Sequence, residues 1–264
     1  MNKRTLLSII IITGNEEKMI TDCLKSCKFA DEVILVDNNS TDKTTEIAQK
    51  TIPKIIIKSI KDNSNCNFSH WRNLGFKIST GLWILYLDTD ERITPALRKE
   101  IQSVIRSSNN KFTNYDIPRA NYFLGKRVKF GGTYPDYVKR LFKRDSFKGY
   151  RGILHEQPDI IGQSGILKNN FIHLTHRDLI SMLNKSIKWT KYEAKLLYDD
   201  NHPPIVWWRL IRMMITKLFD RLILQNMWRD GTVGWISVIF ESFDTFMIYA
   251  QLWELQQKNY KIPS

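Results

Sequence analysis

Short apolar runs rich in β-branched residues alternate with helical patterns along the first hundred residues. Strands are predicted over Leu6–Ile12, Val33–Val36, Lys54–Lys58 and Leu82–Leu87. Helices are predicted between and after them, over Glu16–Lys28, Thr41–Ile52, Ser69–Ser79 and from Thr94 and Pro95 to about Arg106. Strands and helices in this order predict an α/β fold with a mostly parallel sheet and crossover helices on its faces.

The pattern changes after residue 110. Residues 113–175 hold short strand-like pieces (YDIP, RVKF, VKRLFKR and FIHLT) separated by Gly and Pro, which predicts a small antiparallel section. From Asp178 onward the pattern is helical over 178–199, 205–228 and 233–257, with breaks at NHPP and DGTVG. We therefore expect a C-terminal helical extension after the sheet, and no linker that divides the chain into independent domains.

The composition is that of a chain able to bury its own core, with 42% hydrophobic and 25% charged residues among 264. Its net charge of +13 favours an anionic partner such as a nucleotide, a nucleic acid or a membrane surface. The three cysteines lack zinc-site or CxxC spacing, which argues against a disulfide framework and favours a reducing cytosol. Cys23 and Cys27 fall on the apolar face of the first predicted helix, so we expect them in the core.

Neither secretion nor a membrane span is expected. The apolar run Leu6–Ile12 follows basic residues, but it is short and no small-residue cleavage site comes after it. Spanning a bilayer takes ~18 uncharged residues. The apolar stretch 233–250 carries Glu241 and Asp244, and the stretch 205–224 carries four basic residues and an Asp.

Polar residues follow the predicted strands at several places. Residues 13–16 follow the first strand, residues 37–42 the second, and residues 88–90 the strand that begins at Leu82, while residues 70–73 lie on the helix between. In a doubly wound sheet the ligand lies off the carboxyl ends of the strands, near the point where strand order reverses. Carboxylates there can accept hydrogen bonds from a ribose or base, a guanidinium can bind a diphosphate bidentately, and two carboxylates at i and i+2 can share a hard cation.

These segments carry a family resemblance. SIIIITGNEE, VILVDNNSTDKT, the HWRNLG helix and LYLDTDE, in this order and at these intervals, resemble the nucleotide-sugar half of the family 2 glycosyltransferases, which have the GT-A fold. The resemblance covers residues 5–107 most strongly. It implies a nucleotide-sugar-binding half over 1–110, an acceptor-side half of the same domain over 111–177, and a helical extension over 178–264.

The resemblance implies donor-binding roles for residues at the strand ends, namely Thr13, Asn15, Glu16, Asp37, Asn39, Asp42, Arg72, Asp88 and Thr89. Glu16 and Asp37 would face the nucleoside, and Arg72 the diphosphate or base. The implied donor is a nucleotide-diphospho-sugar, with a UDP-sugar favoured.

The resemblance also implies a divalent cofactor, Mg²⁺ or Mn²⁺. Asp88 and Asp90 would face the sugar and bind the ion, with Asp90 catalytic through it, and His173 is a further candidate ligand. The second motif departs from the family's usual DDGSTD, because Asn38 and Asn39 replace an acid and a glycine.

The middle segment, YPDYVKRLFKRDSFKGYRGILHEQP followed by FIHLTHR, resembles small bacterial enzymes that add sugars to the lipopolysaccharide core or related envelope glycans. His155 and Glu156 fall where other members carry an acidic catalytic base, which makes Glu156 the candidate base and His155 an acceptor-side candidate. A carboxylate near the acceptor hydroxyl can remove its proton. Chemistry alone leaves Asp136, a second acceptor-side candidate, or Asp159 open for this role.

Purely structural roles remain open for several of these residues. Asp42 is well suited to cap the helix that follows it. Arg72 can be a surface helix residue, and Glu156 can be the ion-pair partner of a nearby basic residue.

The sequence predicts an inverting, non-processive glycosyltransferase, with a hexosyltransferase favoured, that moves one sugar to a lipopolysaccharide-core, lipid-linked or other envelope glycan. The alternatives are a sugar-nucleotide nucleotidyltransferase, which would normally show a Gly-rich basic loop after the first strand, and a basic nucleic-acid-binding protein, which would not explain acids at strand ends. Arg209, Arg212, Lys217 and Arg221 beside Trp207 and Trp208 predict an interfacial helix. We therefore expect a cytoplasmic protein held peripherally on the inner membrane.

Overall fold

The computed structural model describes residues 5–61, 67–152 and 156–257. The chain forms two compact units. The first contains residues up to Arg119 and Asp136–His173, and the second contains Ala120–Pro135 and the chain from Leu174 onward. Residues 111–119 and 136–173 therefore belong to the same compact unit as residues 5–110. The boundaries predicted at residues 110 and 177 divide the chain by expected function rather than by compactness, and they stay a prediction.

A mixed sheet forms the centre of the first unit. Its strands, two of which continue into the second unit along the chain, are β1 (Leu7–Thr13), β2 (Glu32–Asn38), β3 (Ile56–Ile60), β4 (Trp83–Asp88), β5 (Glu91–Ile93), β6 (Asn114–Phe123), β8 (Asp136–Lys143), β11 (Ser164–Ile166) and β12 (Phe171–His176), with β7 (Lys126–Arg127) in the second unit. The order across the sheet is β3-β2-β1-β4-β8-β6-β12-β5. A separate antiparallel pair joins β9 (Phe147–Arg151) and β10 (Gln157–Ile160).

Strand β1 lies between two parallel neighbours, β2 and β4. In this register Thr13 lies opposite Asp37, and Ile12 lies opposite Asp88. The carboxyl ends of the three strands therefore meet at one edge of the sheet, which is where the polar segments predicted from the sequence come together. Strand β8 then joins β4 in the antiparallel direction, as expected for the section after residue 110.

Helices α1 (Ile20–Cys27), α2 (Thr44–Thr51), α3 (Phe68–Ile78) and α4 (Pro95–Arg106) complete the first unit. Thr94 caps α4 by accepting a hydrogen bond from Leu97 N, with Pro95 at the first turn, as predicted. Cys23 and Cys27 are buried free thiols in the core, as predicted. Cys66 lies outside the described residues.

Helix α3 approaches the sheet closely because Gly75 has no side chain. A Cβ at this position would lie 2.4 Å from Ile10 Cγ2 of β1. The close approach puts Arg72, one turn earlier on the same helix, inside the unit, where only 4% of the residue is exposed. The sequence alternative of a surface position for Arg72 is therefore wrong.

Three helices dominate the described part of the second unit, α5 (Leu179–Asp199), α6 (Trp207–Phe219) and α7 (Thr232–Gln257). The sequence predicts one helix over 205–228, but α6 ends at Phe219 and a π-helical turn follows over Asp220–Leu224. Asn226 then takes a left-handed backbone with φ of 55°, which the helix cannot continue through. Similarly, only Arg127 of the predicted strand RVKF (residues 127–130) lies in a strand, β7.

Helix α7 is long and apolar enough to cross a bilayer when length and composition alone are considered, although the sequence analysis expects no span. A helix packed inside a soluble protein can meet the same two criteria, and 28% of the most apolar window of α7 is buried. Within the second unit α7 contacts both α5 and α6.

Candidate active site

The loops after β1 and β2 are joined by side-chain hydrogen bonds. Asn15 Oδ1 accepts from Thr41 N at 2.8 Å, and Asn15 N donates to Ser40 Oγ at 2.9 Å. Glu16 N donates to Thr44 Oγ1 at 2.8 Å. These bonds join the two loops at the edge of the sheet on which the donor-binding residues were predicted, and α1 begins at Ile20 rather than at the predicted Glu16.

Asp42 bonds to the first residue of α2, but the N-cap of this helix is Lys43, so Asp42 lies one residue before the capping position considered for it. Its Oδ1 accepts from Thr44 N at 3.0 Å, and its Oδ2 accepts from Glu17 N at 3.0 Å. Slight burial works to raise the pKa of Asp42, but hydrogen bonds from Thr44 and Glu17 outweigh it and hold that pKa below its ordinary value. The donor-binding role of Asp42 stays a prediction.

Asp37 is buried at the end of β2 and accepts hydrogen bonds from both N and Oγ of Ser40. Asn39 within this turn has a φ of 51°, a left-handed conformation that asparagine tolerates better than most residues. The family motif has glycine at this position, so the exchange to asparagine preserves the backbone. Thr13 Oγ1 is buried without a hydrogen-bond partner among the described residues, and Thr89 O accepts from Arg92 Nη1 at 2.6 Å.

Arg72, Asp88 and Arg140 form the centre of the site. Arg72 Nη2 lies 2.9 Å from Asp88 Oδ1, and Arg140 Nη2 pairs with Asp88 Oδ2. Burial alone would raise the pKa of Asp88, but the guanidinium groups of Arg140 and Arg72 reverse the effect and hold that pKa well below its ordinary value. Asp88 is therefore ionised near neutral pH, with a guanidinium on each oxygen.

Glu91 is the fully buried acid of this cluster. Its Oε2 accepts from Asp88 N at 2.9 Å, and its Oε1 lies 3.6 Å from Arg119 Nη1 and 3.9 Å from Arg140 Nη2. Burial raises the pKa of Glu91, and Arg140 opposes this effect only in part. In turn, Asp88 and Glu91 raise the pKa of Arg140 despite the burial of its side chain.

Two of the acids predicted from the sequence lie at the ends of this arrangement. Glu156 Oε1 pairs with Arg72 Nη1, and Asp136 Oδ2 accepts from Arg119 Nε at 2.9 Å. Together these groups form one alternating sequence of ion pairs, which we name the charge series: Glu156, Arg72, Asp88, Arg140, Glu91, Arg119 and Asp136. The Tyr150 ring packs against Arg72 of this series, with its centroid 5.2 Å from Arg72 Cζ.

Asp90 and His173 form a second pair beside the charge series. Strands β5 and β12 pair at Glu91 and His173, and His173 Nε2 lies 3.5 Å from Asp90 Oδ2. Two ligands at about 2.1 Å from one cation lie roughly 3–3.5 Å apart when they occupy adjacent coordination positions. This separation permits a shared divalent ion, and the metal-binding role of Asp90 and His173 stays a prediction.

Asp88 fits that ion less well, because both of its oxygens already hold guanidinium groups. Within the described ranges, no group of three or more His, Cys, Asp or Glu is arranged to hold a metal ion. The metal-binding role of Asp88 stays a prediction, and His155 lies outside the described residues.

Sequence reasoning missed Arg140, Glu91, Arg119 and Tyr150. A signal was present for the first two: Arg140 precedes the buried residues Leu141 and Phe142, and Glu91 ends the motif LYLDTDE. A charged residue next to a buried apolar run is usually paired when it is buried. The pairing partners lie far away along the chain, so no spacing rule identifies them.

Comparison with known proteins gives consistent results. The family model for glycosyl transferase family 2 matches residues 8–171. A glycosyltransferase of Rickettsia bellii is 34% identical over 94% of this chain and 86% of its own length. The lipopolysaccharide core biosynthesis glycosyltransferase LpsC of Rhizobium meliloti is 24% identical over 94% of this chain and 92% of its own length.

The fold agrees with the sequence matches. The crystal structure of S. aureus TarS 1–349 in complex with UDP-GlcNAc superposes with a TM-score of 0.50, covers 98% of this chain and 94% of its own, and is 14% identical. At this identity the likeness concerns the fold alone, and it confirms the GT-A architecture predicted from the strand-end motifs. The family match over residues 8–171, together with the relatives along almost the whole length, shows that the chain is a glycosyltransferase that belongs to glycosyl transferase family 2.

Proposed function

We propose that the protein is an inverting enzyme that transfers a single hexose from a nucleotide-diphospho-sugar, with a UDP-sugar favoured, to a lipopolysaccharide-core, lipid-linked or other envelope glycan. The observation that carries this proposal is the charge series around Asp88 at the carboxyl end of β4. In this series Arg72 is the guanidinium expected to bind the diphosphate, and Glu156, the candidate base, pairs with the same guanidinium. The similarity to LpsC supports the envelope acceptor.

Glu156 and Arg72 have direct roles in the proposed reaction. The acceptor hydroxyl oxygen forms a bond to the anomeric carbon as the bond from that carbon to the diphosphate oxygen breaks. The hydroxyl proton goes to Glu156, and the electron pair leaves with the diphosphate, whose charge Arg72 binds. Attack on the face opposite the leaving group inverts the anomeric configuration.

Asp90 and His173 would hold a Mg²⁺ or Mn²⁺ ion, which would neutralise the leaving diphosphate. We assign Asp88 to pairing with Arg140 throughout and with Arg72 while no donor is bound. Glu156 is favoured over Asp136 as the base, because Asp136 accepts from two nitrogens of Arg119 and so is already well satisfied.

The second unit supports a peripheral attachment to the cytoplasmic face of the inner membrane. None of the residues of α6 is buried, and one side of this helix is apolar and exposed; we name it the α6 apolar face, formed by Trp207, Trp208, Ile211, Ile215, Leu218 and Phe219. Arg212 lies over the Trp208 ring at 5.5 Å, and an open groove of about 330 Å³ runs along these side chains. Exposed tryptophan beside arginine suits the headgroup region of anionic lipid.

The structure changes which basic residues can serve this attachment. Arg221 Nε lies 2.7 Å from Glu241 Oε2, and Lys217 Nζ lies 3.8 Å from the same oxygen. Arg221 also donates to Gly131 O. The lipid contact predicted for four basic residues is therefore assigned mainly to Arg209 and Arg212.

Sugar-nucleotide binding tests the proposed reaction. Saturating UDP-glucose, UDP-GlcNAc or GDP-mannose, each with and without Mn²⁺, should raise the Tm by about 5–10 °C for the true donor. Asp90→Ala should remove the Mn²⁺-dependent part of this shift and lower transfer by roughly 10²–10³ without unfolding the protein. The matched control is Asp22→Ala, which removes an exposed carboxylate of α1.

The proposal fails if none of these donors changes the Tm, or if Asp90→Ala transfers at a near-normal rate with Mn²⁺. Mass spectrometry of envelope glycolipids from a deletion strain would identify the acceptor, because the glycan should end one sugar short. An unchanged glycolipid profile would contradict the envelope assignment.

A further inference from the structure

Arg72 is held between two carboxylates that have unequal support. Its Nη2 contacts Asp88 and its Nη1 contacts Glu156, while its Nε is buried without a hydrogen-bond partner in the part of the chain that is described. The guanidinium lies over the Tyr150 ring, and 4% of the residue is exposed. The two acids therefore share a single buried cation.

Asp88 can lose Arg72 without being left as a bare charge. Its Oδ2 pairs with Arg140, and Arg140 also lies near Glu91. Leaving a buried charge with no partner is costly, so a second guanidinium on Asp88 is what makes movement of the first one feasible.

Glu156 has no such support within the described residues. Arg72 is its ion-pair partner there, and its Oε2 is buried without a hydrogen-bond partner. If Arg72 moves, Glu156 is left as an unpaired, partly buried carboxylate. A carboxylate in that condition binds a proton more readily, because desolvation disfavours its charged form.

A nucleoside diphosphate competes directly for Arg72. Its phosphate oxygens accept two parallel hydrogen bonds from a guanidinium, as a carboxylate does, and they carry more negative charge. Donor binding therefore favours the exchange of Glu156 for the diphosphate on the same guanidinium.

We propose that Arg72 couples donor binding to activation of Glu156 as the base. This inference rests on the proposed function. Without a donor, Arg72 neutralises Glu156 and keeps it from accepting a proton; with the diphosphate bound, Arg72 leaves and Glu156 can take the proton of the acceptor hydroxyl. Arg140 is the positioning residue that holds Asp88 during the exchange. In this arrangement Glu156 cannot act as the base until the nucleotide-sugar donor is bound.

The coupling predicts an unusual property of Glu156→Gln. A substitution that only removes a catalytic base leaves the affinity for the donor unchanged, and a substitution that removes a contact with the donor lowers this affinity. Here Arg72 no longer has to leave a charged partner, so the Kd for UDP or GDP with Mn²⁺, measured by titration calorimetry, should fall about tenfold. Glu46→Gln, which removes an exposed glutamate paired with Lys50, is the matched control and should leave this Kd unchanged.

A double-mutant cycle separates the coupling from simple charge repulsion. In an Arg72→Gln background, Glu156→Gln should no longer tighten nucleotide binding, because the competition has been removed. Should Arg72→Gln fail to fold, Arg72→Lys provides the background, in which the tightening should shrink to less than about threefold because lysine cannot bind bidentately.

The outcomes discriminate between the two proposals. A Kd that is unchanged or raised in Glu156→Gln overturns the coupling, and so does tightening that persists undiminished in the Arg72 variants. Either result leaves the glycosyltransferase proposal intact if the wild type binds a sugar nucleotide. A wild type that binds neither UDP, GDP nor any sugar nucleotide overturns both.

Discussion

The two units of this protein depart from the usual partition of polar and apolar residues in opposite directions. In the first unit, charged residues are buried: Glu91 is fully inaccessible, and Arg72 and Arg140 are 4% and 8% exposed. In the second unit, large apolar residues are exposed: Trp207 is 74% and Ile180 72% accessible.

Each departure is unfavourable for the free energy of folding, which suggests that it serves a function. Burying ionised groups destabilises a fold unless they are paired, and the charge series pairs them alternately. Apolar side chains exposed together in a patch, rather than singly, mark a surface that contacts another phase or molecule. The comparison therefore supports the proposal that the first unit binds a charged substrate and that the second contacts an apolar partner, and the following predictions test it.

The largest expected effect is on the transfer rate of Glu156→Gln. Removal of a general base should lower the rate by about 10²–10⁴ under saturating donor. Steady-state assays should include Asp136→Asn, which should lose much less, with Glu46→Gln as the unaffected control. A Glu156→Gln enzyme of normal rate beside an inactive Asp136→Asn enzyme would transfer the base role to Asp136.

Arg140→Met tests the pairing of the buried charges. The substitution leaves Asp88 and Glu91 with one guanidinium each, so the free energy of unfolding should fall by about 3 kcal/mol in urea titrations. Arg140→Met/Glu91→Gln should recover part of this loss, since it removes one uncompensated acid. Equal stability of wild type and Arg140→Met would show that Arg140 does not stabilise the series.

Arg209→Gln/Arg212→Gln tests the apolar surface of the second unit. Each basic residue near an anionic membrane contributes about 1 kcal/mol, so binding to phosphatidylglycerol-containing vesicles should weaken roughly 10- to 30-fold at low salt. Lys54→Gln/Lys58→Gln removes the same charge from exposed sites in the first unit and should change little. If wild type does not sediment with these vesicles, the α6 apolar face serves another partner.

The smallest expected effect concerns a half-buried acid in the second unit. Burial raises the pKa of Asp244 in α7, and a hydrogen bond from Ser186 opposes this only in part. A raised folded-state pKa contributes stability that is present below the unfolded pKa of about 4 and is lost as pH rises through the folded value.

Asp244→Asn should consequently raise the Tm by about 1–3 °C near pH 7, and this gain should disappear below about pH 4. Asp199→Asn, at an exposed pair with Lys195, should show no such gain. A gain of equal size at both pH values would contradict the titration of Asp244 as its cause.

Local patterns predicted much of the fold and part of the site. The strands β1, β2 and β4, the α4 cap at Thr94 and the core position of Cys23 follow from apolar periodicity and capping preference, which act over a few residues. The same patterns extended the helix at 205–228 too far, because Asn226 breaks it through backbone conformation rather than hydropathy.

By itself, the sequence determined the parallel α/β core, the family, and the polar motifs at the strand ends, because each of these features depends on residues that are close together in the sequence. Only the tertiary structure decided the partners of those motifs. Arg140 pairs with Asp88 from 52 positions away in the sequence, and Glu156, which lies between β9 and β10, pairs with Arg72 of α3. Ion pairs of this kind depend on sheet order and on the close approach of α3 at Gly75, and neither has a local signature in the chain. Arg72 pairs with both Asp88 and Glu156 only because the fold brings two carboxylates from different parts of the chain to one buried guanidinium.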